Sequence, residues 1–322
     1  MIAEGPYFDE LHVGQTFSSA PSVTLTGGLA AAHQAIVGNR LALTLDAPLS
    51  FAVLGGRLAP PALVWDIAIG QSTQATHHVK ANLFYRGLAF RRAPLIGDTL
   101  RTTTLVDGLR ENHRKPDRHP TGLAALHITT VDQNDQPVLD FWRCAMLPLR
   151  DPSSSTEHRD DLDTIGAAAS LHTTSATAGW NLSPIRRRAL GPTVDDLEVG
   201  STVNVVGGDV VSNAPELARL TLNIARVHHD ASAAGGTRLV YGGHTIGIAL
   251  TQATRAIPSI VTVLGWHSCD HLAPVHEGDT LRSRITVEAI DRLADGGIAH
   301  LRSIVSVEER DVLDWRFLAL LP

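Results

Sequence analysis

The feature that most constrains the fold is an internal repeat. Four blocks recur in the same order in the two halves of the chain: Phe8–Thr16 with Val194–Thr202, Pro94–Arg101 with Pro274–Arg282, Val138–Asp140 with Val312–Asp314, and Leu147–Pro148 with Leu321–Pro322. The first pair reads FDELHVGQT and VDDLEVGST, and the second PLIGDTLR and PVHEGDTLR. Repeated blocks in one order predict two copies of a single structural unit.

The repeat divides the 322 residues into an N-terminal unit, 1–150, and a C-terminal unit, 193–322, with a linker at 151–192. The linker contains SSST, the acidic run RDDLD and the stretch AAASLHTTSATAG. This composition is typical of a connector that buries little apolar surface. We therefore expect the linker to cross the surface of one unit, to contribute little core and to be poorly ordered over most of its length.

Hydrophobic periodicity predicts an α+β unit in which a sheet wraps a buried helix. From Thr245 to Ile257 apolar residues recur at helical spacing until Pro258, and Leu63–Ile69 is apolar on nearly every side, as in a fully buried helix. Three later segments alternate or are β-rich, at 281–289, 301–307 and 312–321, after a short β-rich run at 259–267. A helix followed by antiparallel strands is the expected order in each copy.

Charge and composition exclude several function classes. The net charge is −6, so we expect neither a nucleic-acid nor an anionic-membrane partner. Cys144 and Cys269 are the two cysteines and have no CxxC spacing, which argues against a disulfide framework or a structural zinc. We see no leader peptide and no apolar run of the ~20 residues that a bilayer span needs, and we expect a cytoplasmic protein.

The most informative motif is Asn223–Asp230 (NIARVHHD), followed by Leu239–Gly247 (LVYGGHTIG). A polar residue five positions before a His, an Asp two after it, and then a Gly turn that opens a buried helix resembles the hydratase motif of MaoC-like hot-dog proteins. Together with the duplication, the resemblance covers nearly the whole chain. It points to the double hot-dog branch. Within that branch, the two motifs most resemble those of the mesaconyl-CoA (2-methylfumaryl-CoA) hydratases.

This resemblance implies two tandem hot-dog units and an R-specific hydro-lyase. Such an enzyme reversibly hydrates a 2-enoyl-CoA to a 3-hydroxyacyl-CoA, with no metal and no cofactor besides the CoA thioester substrate. A branched or dicarboxylic acyl group such as mesaconyl-CoA is one candidate, and the carrier is either CoA or an acyl-carrier protein. A monomer and a homodimer are equally compatible with two units in one chain.

The chain departs from the family pattern at two positions. Asn223 stands where the family has an Asp, and Tyr241 where it has a His. An amide cannot act as a general base near neutral pH, although it can hold a water. We therefore expect Asn223 to orient water and His228 to transfer the proton. Amide groups of Gly242 and Gly243 at a helix start would stabilise the thioester oxygen, and side chains there would block the ligand's approach.

Five further residues are candidates for substrate binding: Tyr241, His244, Asp230, Arg91 and Arg92. Arg91 and Arg92, with the run Arg186–Arg188, are candidates for the CoA phosphates, although a solvated surface is the commoner explanation of such arginines. Asp230 is also a candidate helix cap. A metal cluster among His229, His244, His267, His271, His276 and Cys269 is not favoured, because nothing in the sequence places these side chains on one face.

The N-terminal copy lacks the chemistry. Asn39, Thr44 and Asp46 align with Asn223, His228 and Asp230, each at an offset of 184, and Pro60-Pro61 stands near the position of the two glycines. Threonine is not a useful acid or base, and proline has no N–H to donate. We expect this copy to shape the acyl pocket. A non-catalytic thioester-binding protein and a hot-dog thioesterase remain alternative functions.

Overall fold

The computed structural model describes residues 5–167, 171 and 174–322. The N-terminal half contains these elements: β1 (Thr16–Phe17), β2 (Val23–Thr24), α1 (Gly27–Val37), α2 (Ala42–Leu45), α3 (Ala47–Leu54), α4 (Pro61–Gln71), β3 (Ala81–Phe90), β4 (Thr99–Glu111), β5 (Thr121–Val131) and β6 (Pro137–Pro148). The rest contains α5 (Ser183–Arg188), β7 (Thr202–Asn204), β8 (Asp209–Val210), α6 (Ala214–Leu220), α7 (Gly242–Ala256), β9 (Thr262–His271), β10 (Thr280–Arg292), β11 (Gly297–Val307) and β12 (Arg310–Leu321). In each half, a buried helix, α4 or α7, precedes four long strands, as the sequence predicts.

The strands form one antiparallel sheet that runs through both halves. Its order is β1-β4-β5-β6-β3-β9-β12-β11-β10-β7, and β2 and β8 pair with the outer parts of β4 and β10. The two halves join where β3 pairs with β9, for example Leu88 with Trp266. A Cβ on Gly265 would overlap the Leu88 carbonyl oxygen, so glycine is required at this junction.

Helices α4 and α7 lie inside the curve of the sheet. All eleven residues of α4 are buried, which agrees with its apolar sequence. Pro61 occupies the first turn of α4, where a missing N–H leaves no intrahelical bond unmade. The α7 helix begins at Gly242, three residues before the predicted start at Thr245. The periodic pattern does not reveal this first turn, because the turn contains no apolar residue of that pattern. Both helices thus start at the corresponding positions of the two copies, Pro60-Pro61 and Gly242-Gly243.

The linker is packed more tightly than its composition predicts. Leu162, Leu182 and Ile185 are each buried, and Asp160 pairs its N–H with the carbonyl of Leu109 at the sheet. A Cβ on Gly108 would lie 2.5 Å from Ile165, so the strand has a gap that a linker side chain fills. The expectation of little core is therefore wrong for the described part of the linker. Residues 168–170 and 172–173 lie outside the described part.

Among the described residues, no helix is both long and apolar enough to traverse a bilayer.

Candidate active site

A cavity of about 360 Å³ lies between the two halves, beside the start of α7. The C-terminal half contributes Asn223, His228, Tyr241, Gly242 and His271 to its wall. The N-terminal half contributes a second set that includes Thr73, Tyr85 and Arg143. The motif residues of one copy thus face side chains of the other.

The backbone before Asn223 is held against helix α4. A Cβ on Gly70 would overlap the carbonyl oxygen of Thr221, so only glycine permits this approach. Leu222 then adopts a left-handed conformation with φ of 59°, which is unfavourable for a side chain with a Cβ. Local packing therefore imposes the conformation that presents Asn223 to the cavity.

Two hydrogen bonds fix the segment on either side of Asn223. The N–H of Ile224 donates to Thr73 Oγ1 over 3.0 Å, which links the loop to the N-terminal half. His229 Nε2 donates to the Asn223 carbonyl oxygen over 2.6 Å, since a carbonyl can only accept. His229 thus has a structural contact close to the site.

The side chain of Asn223 is 3% exposed, and its orientation is set by a turn. Its Oδ1 accepts the N–H of Ala225 over 3.0 Å, so Nδ2 remains as a donor for another group. The aligned Asn39 makes the same turn: its Oδ1 accepts from Leu41, and its Nδ2 donates to Thr44 Oγ1 over 2.7 Å. In the N-terminal copy the donor is therefore already satisfied within the protein.

His228 has the protonation state of a general base. Its Nδ1 lies 2.8 Å from the Leu239 carbonyl oxygen, so Nδ1 carries the proton and Nε2 keeps a lone pair. Burial lowers the pKa of His228 to about 4. The imidazole is therefore neutral at pH 7, and its free nitrogen can accept a proton.

The two glycines at the start of α7 have different surroundings. Gly242 borders the cavity, and its N–H belongs to the first turn, which has no intrahelical acceptor. A Cβ on Gly242 would lie 2.5 Å from Nε2 of His271, whereas one on Gly243 would overlap Asp66 Oδ1. The space left by both glycines is thus taken partly by protein groups. The expectation that Gly243 clears room for a ligand is wrong.

Tyr241 connects the cavity wall to a buried carboxylate. Its hydroxyl donates to Asp66 Oδ1 over 3.2 Å, and Asp66 Oδ2 lies 2.9 Å from His33 Nε2. Burial raises the pKa of Asp66, and the hydrogen bonds from His33 and Tyr241 oppose that rise. Burial also raises the pKa of Tyr241 well above its ordinary value, so the phenol stays protonated.

Five sequence-predicted residues do not line this cavity: Gly243, described above, and His244, Asp230, Arg91 and Arg92. His244 is fully buried within α7, and Asp230 caps the turn Ala231–Ala234 through the N–H of Ser232. Arg91 pairs with Asp140 through two hydrogen bonds of 2.6 and 3.0 Å.

Arg92 is likewise occupied, because it lies 2.9 Å from Asp98 and 2.7 Å from Asp132. The sequence shows the positive charges of the two arginines but not that Asp140 and Asp132, which are distant along the chain, pair with them. Neither arginine is free to bind phosphate as predicted.

Among the described residues, the other histidines do not gather into a metal centre. His267 of β9 contacts His300 of β11, whereas His271 lies at the cavity. Across residues 5–167, 171 and 174–322, no group of three or more His, Cys, Asp or Glu side chains is arranged to hold a metal ion.

The cavity residues that were not found from the sequence as site residues include Tyr85, Arg143 and His271. A signal exists for Arg143, since strand alternation places it on the inward face between Phe141 and Ala145. His271 ends strand β9, and burial lowers its pKa to about 4.

Comparison with known proteins identifies the family. The chain is 31% identical over 318 residues to the beta-methylmalyl-CoA dehydratase of Chloroflexus aurantiacus, covering 94% of this chain and 88% of that protein. The chain belongs to this family of MaoC-like double hot-dog hydratases and dehydratases. It is also 26% identical over 307 residues to the mesaconyl-CoA hydratase of Cereibacter sphaeroides, covering 92% of this chain and 88% of that protein. No family model matches the sequence.

Solved structures agree with this membership. A conserved hypothetical protein of Mycobacterium tuberculosis with a double hot-dog fold superposes with a TM-score of 0.92 and 56% identity over 98% of each chain. A MaoC domain protein dehydratase of Chloroflexus aurantiacus superposes with a TM-score of 0.85 and 27% identity, covering 99% of this chain and 97% of that one. The predicted α+β double hot-dog fold and the predicted family are confirmed, and with them the hydro-lyase class.

Proposed function

We propose that this MaoC-like protein reversibly hydrates a short, branched 2-enoyl-CoA of the mesaconyl-CoA type to the 3-hydroxyacyl-CoA. The observation that carries the proposal is the 2.8 Å hydrogen bond between His228 Nδ1 and the Leu239 carbonyl oxygen, which leaves Nε2 to accept a proton in one cavity with Asn223 and Gly242. The names of the two curated relatives support the acyl group. An R-configured product, a cytoplasmic location and a reaction without a cofactor are further parts of the proposal.

The Gly242 amide supplies the electrostatic part of the reaction. As water adds to Cβ, the electron pair of the double bond moves toward the thioester, and its oxygen gains negative charge. A backbone donor at a helix start stabilises such an oxygen, and the loss of one comparable donor typically raises a barrier by ~3–4 kcal/mol. The helix dipole of α7 acts in the same direction.

His228 and Asn223 handle the water. The Nε2 of His228 removes one proton as the water oxygen bonds to Cβ, and the resulting imidazolium returns a proton to Cα. Asn223 donates from Nδ2 to the oxygen of the water, or to the 3-hydroxyl in the reverse direction. One water is added, and His228 ends in its starting state.

A second cavity fits the CoA moiety. It has a volume of about 430 Å³ and shares Val79, Lys80 and Val227 with the first cavity. Arg226 also lines it, and none of the described residues lining it is Asp or Glu. Cationic side chains at the outer end of an acyl pocket suit the phosphates of CoA.

An assay with purified protein and either mesaconyl-CoA or crotonyl-CoA tests the proposal. Loss of the enoyl absorbance without release of free thiol is the expected result. Release of free thiol would indicate a thioesterase instead. If both signals stay at the background rate while the thioester binds, the protein is a binding protein and the proposal is wrong.

A further inference from the structure

The cavity contains one deeply buried cation that the hydration chemistry does not use. Arg143 lies on the inward face of β6, is 3% exposed, and borders the same cavity as Asn223 and His228. It belongs to the N-terminal half, so it faces the proton-transfer groups from the opposite copy. Its strand neighbours on that face are apolar. A buried guanidinium among them is energetically unfavourable unless it has a charged or hydrogen-bonding partner.

Arg143 has no acidic partner in the described part of the chain. The Nη2 atom of Arg143 donates to Thr76 Oγ1 over 2.7 Å and to the Ser72 carbonyl oxygen over 3.3 Å, and both acceptors are neutral. Its Nε has no acceptor among the described residues. Asp66, a buried carboxylate nearby in the fold, is occupied by His33 and Tyr241.

This situation differs from that of three other arginines on or beside the sheet. Arg91, Arg92 and Arg302 each have a carboxylate within 3.0 Å. Burial lowers the pKa of Arg143, but the ordinary pKa of arginine is so high that the side chain stays charged at neutral pH. A buried, uncompensated charge is strongly unfavourable, and an anionic ligand removes that penalty.

The cavity lining has the matching chemistry. Its walls are mostly apolar, and none of the described lining residues is Asp or Glu. Lys80 is the other lining residue with a fixed positive charge, and it is exposed where the two cavities meet. The inner part of the cavity therefore presents an apolar wall with one guanidinium, which suits a short carbon skeleton ending in a carboxylate.

We propose that Arg143 binds the carboxylate at the far end of the acyl group and selects dicarboxylic over monocarboxylic acyl-CoA substrates. The inference rests on the proposed function, because the ion pair forms while the thioester is bound at Gly242. It makes Arg143 a specificity residue, whereas His228 transfers the proton. The N-terminal copy thus recognises one end of the acyl group, and the C-terminal copy reacts with the other.

The test uses a matched pair of substrates. Mesaconyl-CoA and tigloyl-CoA have the same carbon skeleton, but a methyl group replaces the carboxylate in the second. We expect wild-type kcat/KM to be at least ~100-fold higher for mesaconyl-CoA. Arg143→Gln should lose at least ~100-fold with mesaconyl-CoA and change less than ~3-fold with tigloyl-CoA, while Arg143→Lys keeps an intermediate preference.

A structural role for Arg143 predicts a different result. If Arg143 only held the turn around Thr76, then Arg143→Gln would lower the rates with both substrates equally, and the proposal would be wrong. Thr76→Val is the matched control, because it removes the 2.7 Å hydrogen bond but keeps the charge. We expect Thr76→Val to retain the preference for mesaconyl-CoA.

A binding measurement separates this inference from the proposed function. Methylsuccinyl-CoA and 2-methylbutyryl-CoA lack the double bond and differ by the same carboxylate-for-methyl change. Wild type should bind methylsuccinyl-CoA at least ~10-fold more tightly, and Arg143→Gln should abolish the difference. That result with no hydration of either enoyl-CoA would refute the hydratase and keep the carboxylate site. Equal binding of the two esters by wild type would overturn the carboxylate site, whatever the hydration assay shows.

Discussion

Replacing His244 with leucine tests both its placement and its protonation. The side chain is fully buried in α7, and burial lowers its pKa to about 4 from an ordinary value of 6.5. His33 nearby lowers the pKa further, whereas Glu277 opposes the shift. Between pH 6.5 and 4 the unfolded chain therefore binds a proton that the folded chain excludes. Stability from this group is present above pH 6.5 and is lost as the pH falls toward 4.

The magnitude follows from those two pKa values. Between pH 7 and pH 5, a single histidine with this shift removes about 2 kcal/mol from the free energy of unfolding. His244→Leu should therefore lose about 2 kcal/mol less than wild type over this interval. Urea unfolding of both proteins at pH 7 and pH 5 measures the difference, which is independent of any packing change common to both pH values.

Two further readouts complete this experiment. His113 is exposed, so His113→Gln should show the pH dependence of wild type. Because His244 does not line the cavity, His244→Leu should keep at least about half of the hydration rate at pH 7. If wild type and His244→Leu lost equal stability between pH 7 and pH 5, the conclusion that His244 is buried and uncharged in the folded chain would be refuted.

Three other changes address the site. His228→Ala should lower kcat by ~10²–10⁴-fold with little change in KM in a stopped-flow hydration assay, and retention of more than about a tenth of the rate would contradict its role as the base. Gly70→Ala should destabilise the fold by ~1–3 kcal/mol or more, the scale of an overpacked core, and should also abolish activity. The reason is that the new Cβ overlaps the backbone that presents Asn223. Gly28→Ala, whose Cβ meets no atom closer than 3.9 Å, is the control and should leave the melting temperature and the rate unchanged. Arg226→Ala should raise KM for the CoA ester ~3- to 30-fold but not for the corresponding pantetheine thioester, and an equal effect on both thioesters would exclude a phosphate contact.

The repeat and the hydrophobic periodicity predict the helices and long strands, because both signals are local in the sequence. The same locality explains why Asn223, His228 and Gly242 can be found together: all three lie within twenty residues of one another, on a turn and the helix that follows it. The grouping of these residues is visible from the sequence, although their proposed roles await experiment.

Other parts of the site depend on contacts between the halves. Arg143 reaches the cavity only because strands β3 and β9 join the two halves into one sheet. Arg91 pairs with Asp140 and Arg92 with Asp132, and both carboxylates lie about 40 residues or more away along the chain. Neither kind of contact has a periodic signature, so spacing alone cannot separate a paired arginine from one that is available to a ligand.

The covalent link between the two units has a consequence for how such a pocket can diverge. In an assembly of identical units, any substitution appears on both sides of the symmetry axis, so a residue gained for one purpose also alters the equivalent position. Here Thr44 and His228 occupy equivalent positions and differ, and Arg143 has no arginine at its partner position, Phe317. Fusion into one polypeptide removes the symmetry constraint, and the motif-bearing cavity draws on both copies.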